Sequence, residues 1–119
     1  MARILIVDDK KLMRKTLISI LAKTDHVVVG EAENGKQAIE LYHELRPELV
    51  TMDITMPEMN GLVAIKKIRA EFPDAKVIMC SALGKQKIIM EAIEAGAKDF
   101  IVKPFDDCRV LEAIHRALK

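Results

Sequence analysis

The chain has 119 residues, half of them hydrophobic, and its 19 basic and 18 acidic side chains leave a net charge of +1. That length suits one domain with one sizeable core, and the charge balance gives no bulk attraction to nucleic acid or to a membrane surface. No apolar run approaches the ~18 residues of a membrane span, and the first residues lack a signal-peptide pattern, so a cytoplasmic location without membrane insertion is expected.

The first apolar run, Arg3 to Val7, ends in Asp8-Asp9 and is followed by Leu12, Met13, Leu17, Ile20 and Leu21 at the spacing of one helix face. A second run, Val27 to Gly30, leads through Asn34-Gly35 into a helix carrying Ala38, Leu41, Tyr42 and Leu45, after which comes Pro47. The third, Leu49 to Met52, stops at Asp53, and the breaker-rich segment Ile54 to Gly61 separates it from a helix with Leu62, Ile65 and Ile68, followed by Pro73. The fourth, Lys76 to Cys80, precedes Ser81-Ala82 and a helix in which Ile88, Ile89 and Met90 are consecutive; Gly96 fits the left-handed position after it. The fifth, Asp99 to Val102, ends in Lys103-Pro104, and Asp106 is placed to cap a last helix bearing Val110, Leu111, Ile114 and Leu118.

Five strand and helix repeats joined by short connections predict an α/β fold, doubly wound, with a parallel sheet covered by helices on both faces and residues 1–119 forming one domain. The near-continuous apolar strands Ile4 to Val7 and Val77 to Met79 suit central positions. Cys80 and Cys108 belong to no CxxC motif and are expected as structural thiols, while His26, His43 and His115 show no metal-ligand spacing and are expected at the surface.

Parallel strands bring Asp8, Asp9, Asp53 and Lys103 to the carboxyl edge of the sheet, where open α/β sheets bind ligands. Any one of them alone has an ordinary explanation as a helix cap, a turn residue or a surface ion pair. Together they make a problem in electrostatics, because neighbouring carboxylates raise one another's pKa and burial adds to the cost. A divalent cation resolves it, and an oxygen-only ligand set with no nearby His or Cys is the Mg²⁺ pattern. With Lys103 opposite, such a site is suited to phosphate, and a carboxylate can serve as nucleophile.

The motifs Val7-Asp8-Asp9, Met52-Asp53-Ile54-Thr55-Met56-Pro57-Glu58-Met59-Asn60-Gly61, Ser81-Ala82 and Val102-Lys103-Pro104-Phe105 cover the whole pattern. Through them the chain resembles two-component response-regulator receiver domains, most of all the stand-alone chemotaxis regulators. The resemblance implies a flavodoxin-like (βα)5 sandwich of strand order 2-1-3-4-5. It implies Asp53 as phosphoacceptor, taking a phosphoryl group from a phosphohistidine on a sensor histidine kinase of chemotaxis type. Asp9, Asp53 and the backbone carbonyl of Thr55 would hold Mg²⁺, and Asp8 would act mainly through its water shell. Ser81 matches the hydroxyl that hydrogen-bonds the phosphoryl group, and Lys103 the lysine that pairs with it.

By the same likeness Lys103-Pro104 is a cis peptide, and Phe100 is the aromatic switch that turns inward as Ser81 moves toward phosphate. Ile89 falls beside Phe100 on the partner-binding face, which would engage a flagellar motor switch protein. Met90, in phase with Ile93, is expected to point inward. Thr55 and Leu83 occupy the positions that modulate the hydrolytic water, and neither is an acid or amide, so slow unaided dephosphorylation and a separate phosphatase are expected. The implied protein is a monomeric switch that catalyses only its own phosphoryl transfer and dephosphorylation.

A phosphorelay shuttle and the receiver domain of a transcription factor remain open as alternatives. An Asp-nucleophile phosphatase of the haloacid-dehalogenase type would need a second Asp two residues after the nucleophile, where this chain has Thr55. A flavodoxin-like cofactor carrier would need a Gly/Ser/Thr-rich phosphate loop where Asp8-Asp9-Lys10-Lys11 stands.

Overall fold

The computed structural model describes residues 1–119. Strands and helices alternate throughout: β1 (Arg3–Val7), α1 (Lys11–Leu21), β2 (Val27–Ala32), α2 (Gly35–Leu45), β3 (Leu49–Asp53), α3 (Gly61–Glu71), β4 (Val77–Ser81), α4 (Gln86–Glu94), β5 (Asp99–Val102) and α5 (Asp107–Leu118). The strands form one parallel sheet of order β2-β1-β3-β4-β5, as expected. None of the helices is long and apolar enough to cross a membrane.

Side chains alternate along each strand between two cores. Leu5, Val7, Val50, Met52, Val77, Met79 and Phe100 join an apolar cluster with residues of α2, α3 and α4. Ile4, Ile6, Leu49, Ile78, Cys80 and Ile101 pack on the opposite face with α1 and α5. Every residue of β3 and β4 is buried, which is why their sequences read as unbroken apolar runs rather than as alternation. Edge strand β2 instead exposes Val27, shifts register opposite Ile4 and Leu5, and runs two residues further than its apolar sequence suggests because Glu31 and Ala32 pair with Ile6 and Val7.

The punctuation works as read. The side chains of Asn34 and Asp106 accept hydrogen bonds from Gln37 N and Arg109 N, both at 2.8 Å, and cap α2 and α5. Asn60 does the same for α3 through Val63 N at 2.9 Å, satisfying donors that a bare helix start leaves unpaired. Gly96 has φ +107° after α4, and the Lys103-Pro104 bond is cis.

Four expectations are corrected. Leu12 is 74% exposed, while Arg14 is buried on the face of α1 that also carries Leu17 and Leu21; Leu12 lies about 200° around the helix from Arg14. On α4 the only buried residue is Ala92, so the positions three and four before it, Ile89 and Ile88, pack against the core. Met90 and Ile93 are then the outward pair, 53% and 47% exposed, and the apolar residue of the triplet that faces solvent is Met90, not Ile89. Cys108 is exposed on the first turn of α5 instead of packed, whereas Cys80 is buried. His26 is half-buried and its Nδ1 accepts a hydrogen bond from Ala2 N at 3.1 Å.

The start of α3 sits directly against the end of β3. A Cβ added at Gly61 would lie 2.1 Å from the carbonyl oxygen of Asp53 and 3.0 Å from its carbon, and Gly61 N donates to Ile54 O at 2.8 Å. Gly61→Ala must therefore push α3 away from Asp53, with an expected loss of about 2–3 kcal/mol, the range of an overpacked core. Urea denaturation checks this; Gly84→Ala, whose Cβ would meet only the Val102 side chain at 3.1 Å, is expected to lose less.

Candidate functional site

Lateral register assembles the site. Val7 pairs with Met52, Asp53 with Cys80 and Ser81 with Val102, so the residues that follow or end these strands emerge side by side at the carboxyl edge. Ligand oxygens of Asp8, Asp9 and Asp53 lie within 4.8 Å of one another. Asp8 and Asp53 are 2% and 5% exposed and Ser81 is 1% exposed.

Lys103 spans the acids. Its Nζ is 2.8 Å from Asp8 Oδ2 and 3.3 Å from Asp53 Oδ1. Its own backbone N donates to Ser81 O at 2.8 Å, continuing the pairing of β4 with β5 past the strand ends. Asp53 Oδ1 also accepts from Ile54 N at 3.0 Å, and Asp8 Oδ1 from Lys10 N at 2.9 Å. Ser81 Oγ accepts from Leu83 N at 3.0 Å.

Burial raises the pKa of the Asp53 carboxyl; Lys103 opposes this and the Asp8 charge adds to it. Burial alone would lower the pKa of Lys103, but its hydrogen bond to Asp8 and the charges of Asp53 and Asp8 outweigh burial and hold the ammonium above its ordinary value. The lysine is thus a committed cation, and Asp53 is a carboxylate kept poorly solvated. Poorly solvated anions are the more ready to bond an electrophile or a cation.

A cleft of about 170 Å³ opens over Asp53 and is lined by Thr55, Ser81, Leu83, Met13 and Lys103. Asp8, Asp9, Asp53, Thr55, Ser81 and Lys103 are therefore brought together, as the sequence pattern anticipates. Phe100 and Ile89 are not at the cleft: Phe100 is buried in the core on the α4 side of the sheet and Ile89 packs against that same cluster. The donor set suits a hard divalent cation. Asp9 Oδ1 is buried and accepts no hydrogen bond, with Lys10 Nζ 3.9 Å away as its nearest ion-pair partner, and a buried carboxylate oxygen in that state is a vacant ligand for a metal such as Mg²⁺.

Arg14 was hidden from sequence reading. It lies beneath the acidic pair and donates to the Asp8 carbonyl at 2.8 Å. The signal that could have found it is phase, since Arg14 precedes Leu17 and Leu21 by three and seven residues and so shares their inward face.

The model of the response regulator receiver domain matches residues 4–115. The chemotaxis protein CheY of Bacillus subtilis is 59% identical over 116 residues, covering 98% of this chain and 97% of that protein. CheY of Thermotoga maritima is 57% identical over 117 residues, covering 98% of each. Among solved structures, the CheX–CheY–BeF3–Mg²⁺ complex of Borrelia burgdorferi superposes with a TM-score of 0.94 at 36% identity, over 98% of this chain and 89% of that one. A carboxylate trio with one lysine paired to two of its members at the carboxyl edge of a 2-1-3-4-5 sheet, in a chain this similar over nearly its whole length, means that the chain belongs to the response regulator receiver family and is homologous to CheY, a phosphorylation-activated switch in chemotaxis.

Proposed function

We propose that Asp53 is the phosphoacceptor of this switch and that the observation carrying the assignment is its placement: a buried carboxylate at the floor of the cleft, 3.3 Å from the Lys103 ammonium. An Asp53 carboxylate oxygen attacks the phosphorus of a phosphohistidine on a sensor histidine kinase. The P–N bond breaks, the imidazole nitrogen leaves with the electron pair and takes a proton from solvent, and Asp53 carries an acyl phosphate. Lys103 neutralises a phosphoryl oxygen, and the Ser81 hydroxyl turns from its bond with Leu83 N to donate to another. Asp9 and Asp53, with the Thr55 carbonyl, would hold a divalent cation, and Asp8 would act mainly through its water shell. Bound Mg²⁺ supplies charge neutralisation to the carboxylates and the transferring phosphoryl group. The Mg²⁺ recorded with CheY in the Borrelia burgdorferi complex supports a divalent cation in this reading.

The output surface in this reading is the α4-β5-α5 face. Lys103 follows the end of β5, three residues past Phe100, so a pull on the lysine is transmitted along β5 to a ring packed beneath α4. The exposed apolar pair Met90 and Ile93 on α4, with Val102 at 44% exposure, offers an anchor for a partner segment. The partners in this reading are a chemotaxis sensor kinase, a flagellar motor switch protein and a phosphatase, the last because Thr55 and Leu83 provide no acid or amide to orient the hydrolytic water. The alternatives of phosphorelay shuttle and transcription-factor receiver share the acceptor chemistry and differ in the output partner.

Incubation with a small phosphoramidate and Mg²⁺ is expected to add one phosphate to the wild-type chain, read by intact mass. Asp53→Asn should add none, and excess chelator should abolish wild-type labelling; undiminished labelling of Asp53→Asn would sink the assignment.

For the output face, Met90→Asp is expected to fold and label normally yet bind phosphorylation-dependent motor switch and kinase partners at least about tenfold more weakly, the effect of losing an interface anchor. Ile89→Asp, which puts a charge against the core, should cost about 2 kcal/mol or more of stability. Isothermal titration and denaturant melts check the pair. Full binding by Met90→Asp would move the output surface elsewhere.

A further inference from the structure

Arg14 is 7% exposed, and a buried guanidinium needs a reason. Its three contacts are all to groups of or beyond the metal edge. Nη1 donates to the Asp8 carbonyl at 2.8 Å. Nε donates to Glu31 Oε1 at 3.0 Å, near the end of strand β2, and Nη2 lies 3.8 Å from Glu33 Oε1. The two glutamates are far more exposed than the arginine, with side chains 45% and 64% accessible against 9%, so pairing with them did not require burial. The contact that did require it is the one to Asp8.

The carbonyl of Asp8 belongs to the peptide that joins Asp8 to Asp9. That unit is planar, so a donor fixing its oxygen also fixes the direction in which Asp9 N and Cα leave it. The two acids differ sharply in what else holds them. The Asp8 carboxylate is gripped by Lys103 Nζ and Lys10 N, whereas Asp9 Oδ1 accepts no hydrogen bond at all. Its position is set from the backbone behind it.

We propose that Arg14 is a positioning residue for the divalent cation: clamped by Glu31, its guanidinium holds the Asp8-Asp9 peptide so that the free Asp9 oxygen faces the cation site. The inference rests on the metal reading given under the proposed function. Groups behind metal ligands commonly change affinity by about 10- to 100-fold when removed.

Charge and geometry here predict opposite signs. As a cation near three acids, Arg14 by itself opposes a second cation, and removing it would tighten binding. As a positioning group, removing it loosens binding. A tie that merely joins α1 to β2 would change the melting temperature and leave metal affinity alone.

Mg²⁺ alone is titrated calorimetrically into wild type, Asp9→Asn, Arg14→Met and Arg14→Lys, each checked by circular dichroism. Asp9→Asn is expected to weaken binding; if it does not, the cation reading itself fails. Arg14→Met is expected to bind about tenfold more weakly. Arg14→Lys, which can still donate to the Asp8 carbonyl but lacks the fork to hold Glu31 at the same time, should lose about threefold. With Asp9→Asn weakened, wild-type or tighter affinity in Arg14→Met overturns the positioning role. Should Arg14→Met not fold, Arg14→Lys decides, and wild-type affinity there overturns it equally.

Discussion

The structure turns on the enforced proximity of three carboxylates around one ammonium. Parallel pairing leaves no choice in the matter: once β1, β3 and β5 lie in one sheet with this register, Asp8, Asp9, Asp53 and Lys103 share its carboxyl edge. Bringing like charges out of water is unfavourable, so the local structure supplies every compensation available to it. Lys103 pairs with two of the acids, backbone amides of Lys10 and Ile54 donate to Asp8 and Asp53, and the Asp8 carbonyl is held from below by Arg14. The start of α3 is packed so closely on the end of β3 that only glycine fits at position 61.

Tolerance for such a cluster comes from the rest of the sheet. Central strands buried on both faces and two apolar clusters, one under α2, α3 and α4 and one under α1 and α5, make a scaffold whose strand ends cannot relax apart without opening a core. The same rigidity couples the edge to a distant face. Lys103 N is bonded to Ser81 O, and three residues back along β5 the ring of Phe100 is buried against the residues that underlie α4. In the proposed reading, a force at the lysine would have a short, well-packed route to the helix that exposes Met90 and Ile93.

Much of this was legible in the sequence because the strands announce themselves twice, by apolar runs and by the charged or polar residue that stops each of four of them: Asp8, Asp53, Ser81 and Lys103. The edge strand β2 has no such stop, and its pairing continues through Glu31 and Ala32, residues that only the neighbour β1 makes into strand. Helix phase was the harder problem. On α1 an apolar Leu12 competes with a charged Arg14 for the inward face, and hydrophobicity alone picks the wrong one because the favourable contact of Arg14 is with a carbonyl that no periodicity encodes. On α4 four apolar residues within six positions admit two phases, and the small Ala92, which lets the helix approach the sheet, decides between them in favour of Ile88 and Ile89.

Charge balance connects the resting arrangement to a switch. The three carboxylates outnumber Lys103 by two charges, a deficit that a dication would supply. In the proposed reading a phosphoryl group on Asp53 would replace one negative charge by nearly two, and the balanced edge would become anionic again by about one. The nearest further cation, Lys10, lines the cleft 3.9 Å from Asp9 but is largely in solvent and correspondingly screened, and Arg14 is occupied by the Asp8 carbonyl and Glu31. In the proposed reading much of the surplus would fall to donors that can turn, and at the cleft the Ser81 hydroxyl, whose oxygen accepts from Leu83 N, can still donate; its residue ends β4 and its carbonyl is tied to Lys103. In that reading a change of one charge at Asp53 would act on β4 and β5, the two strands on the α4 side of the sheet.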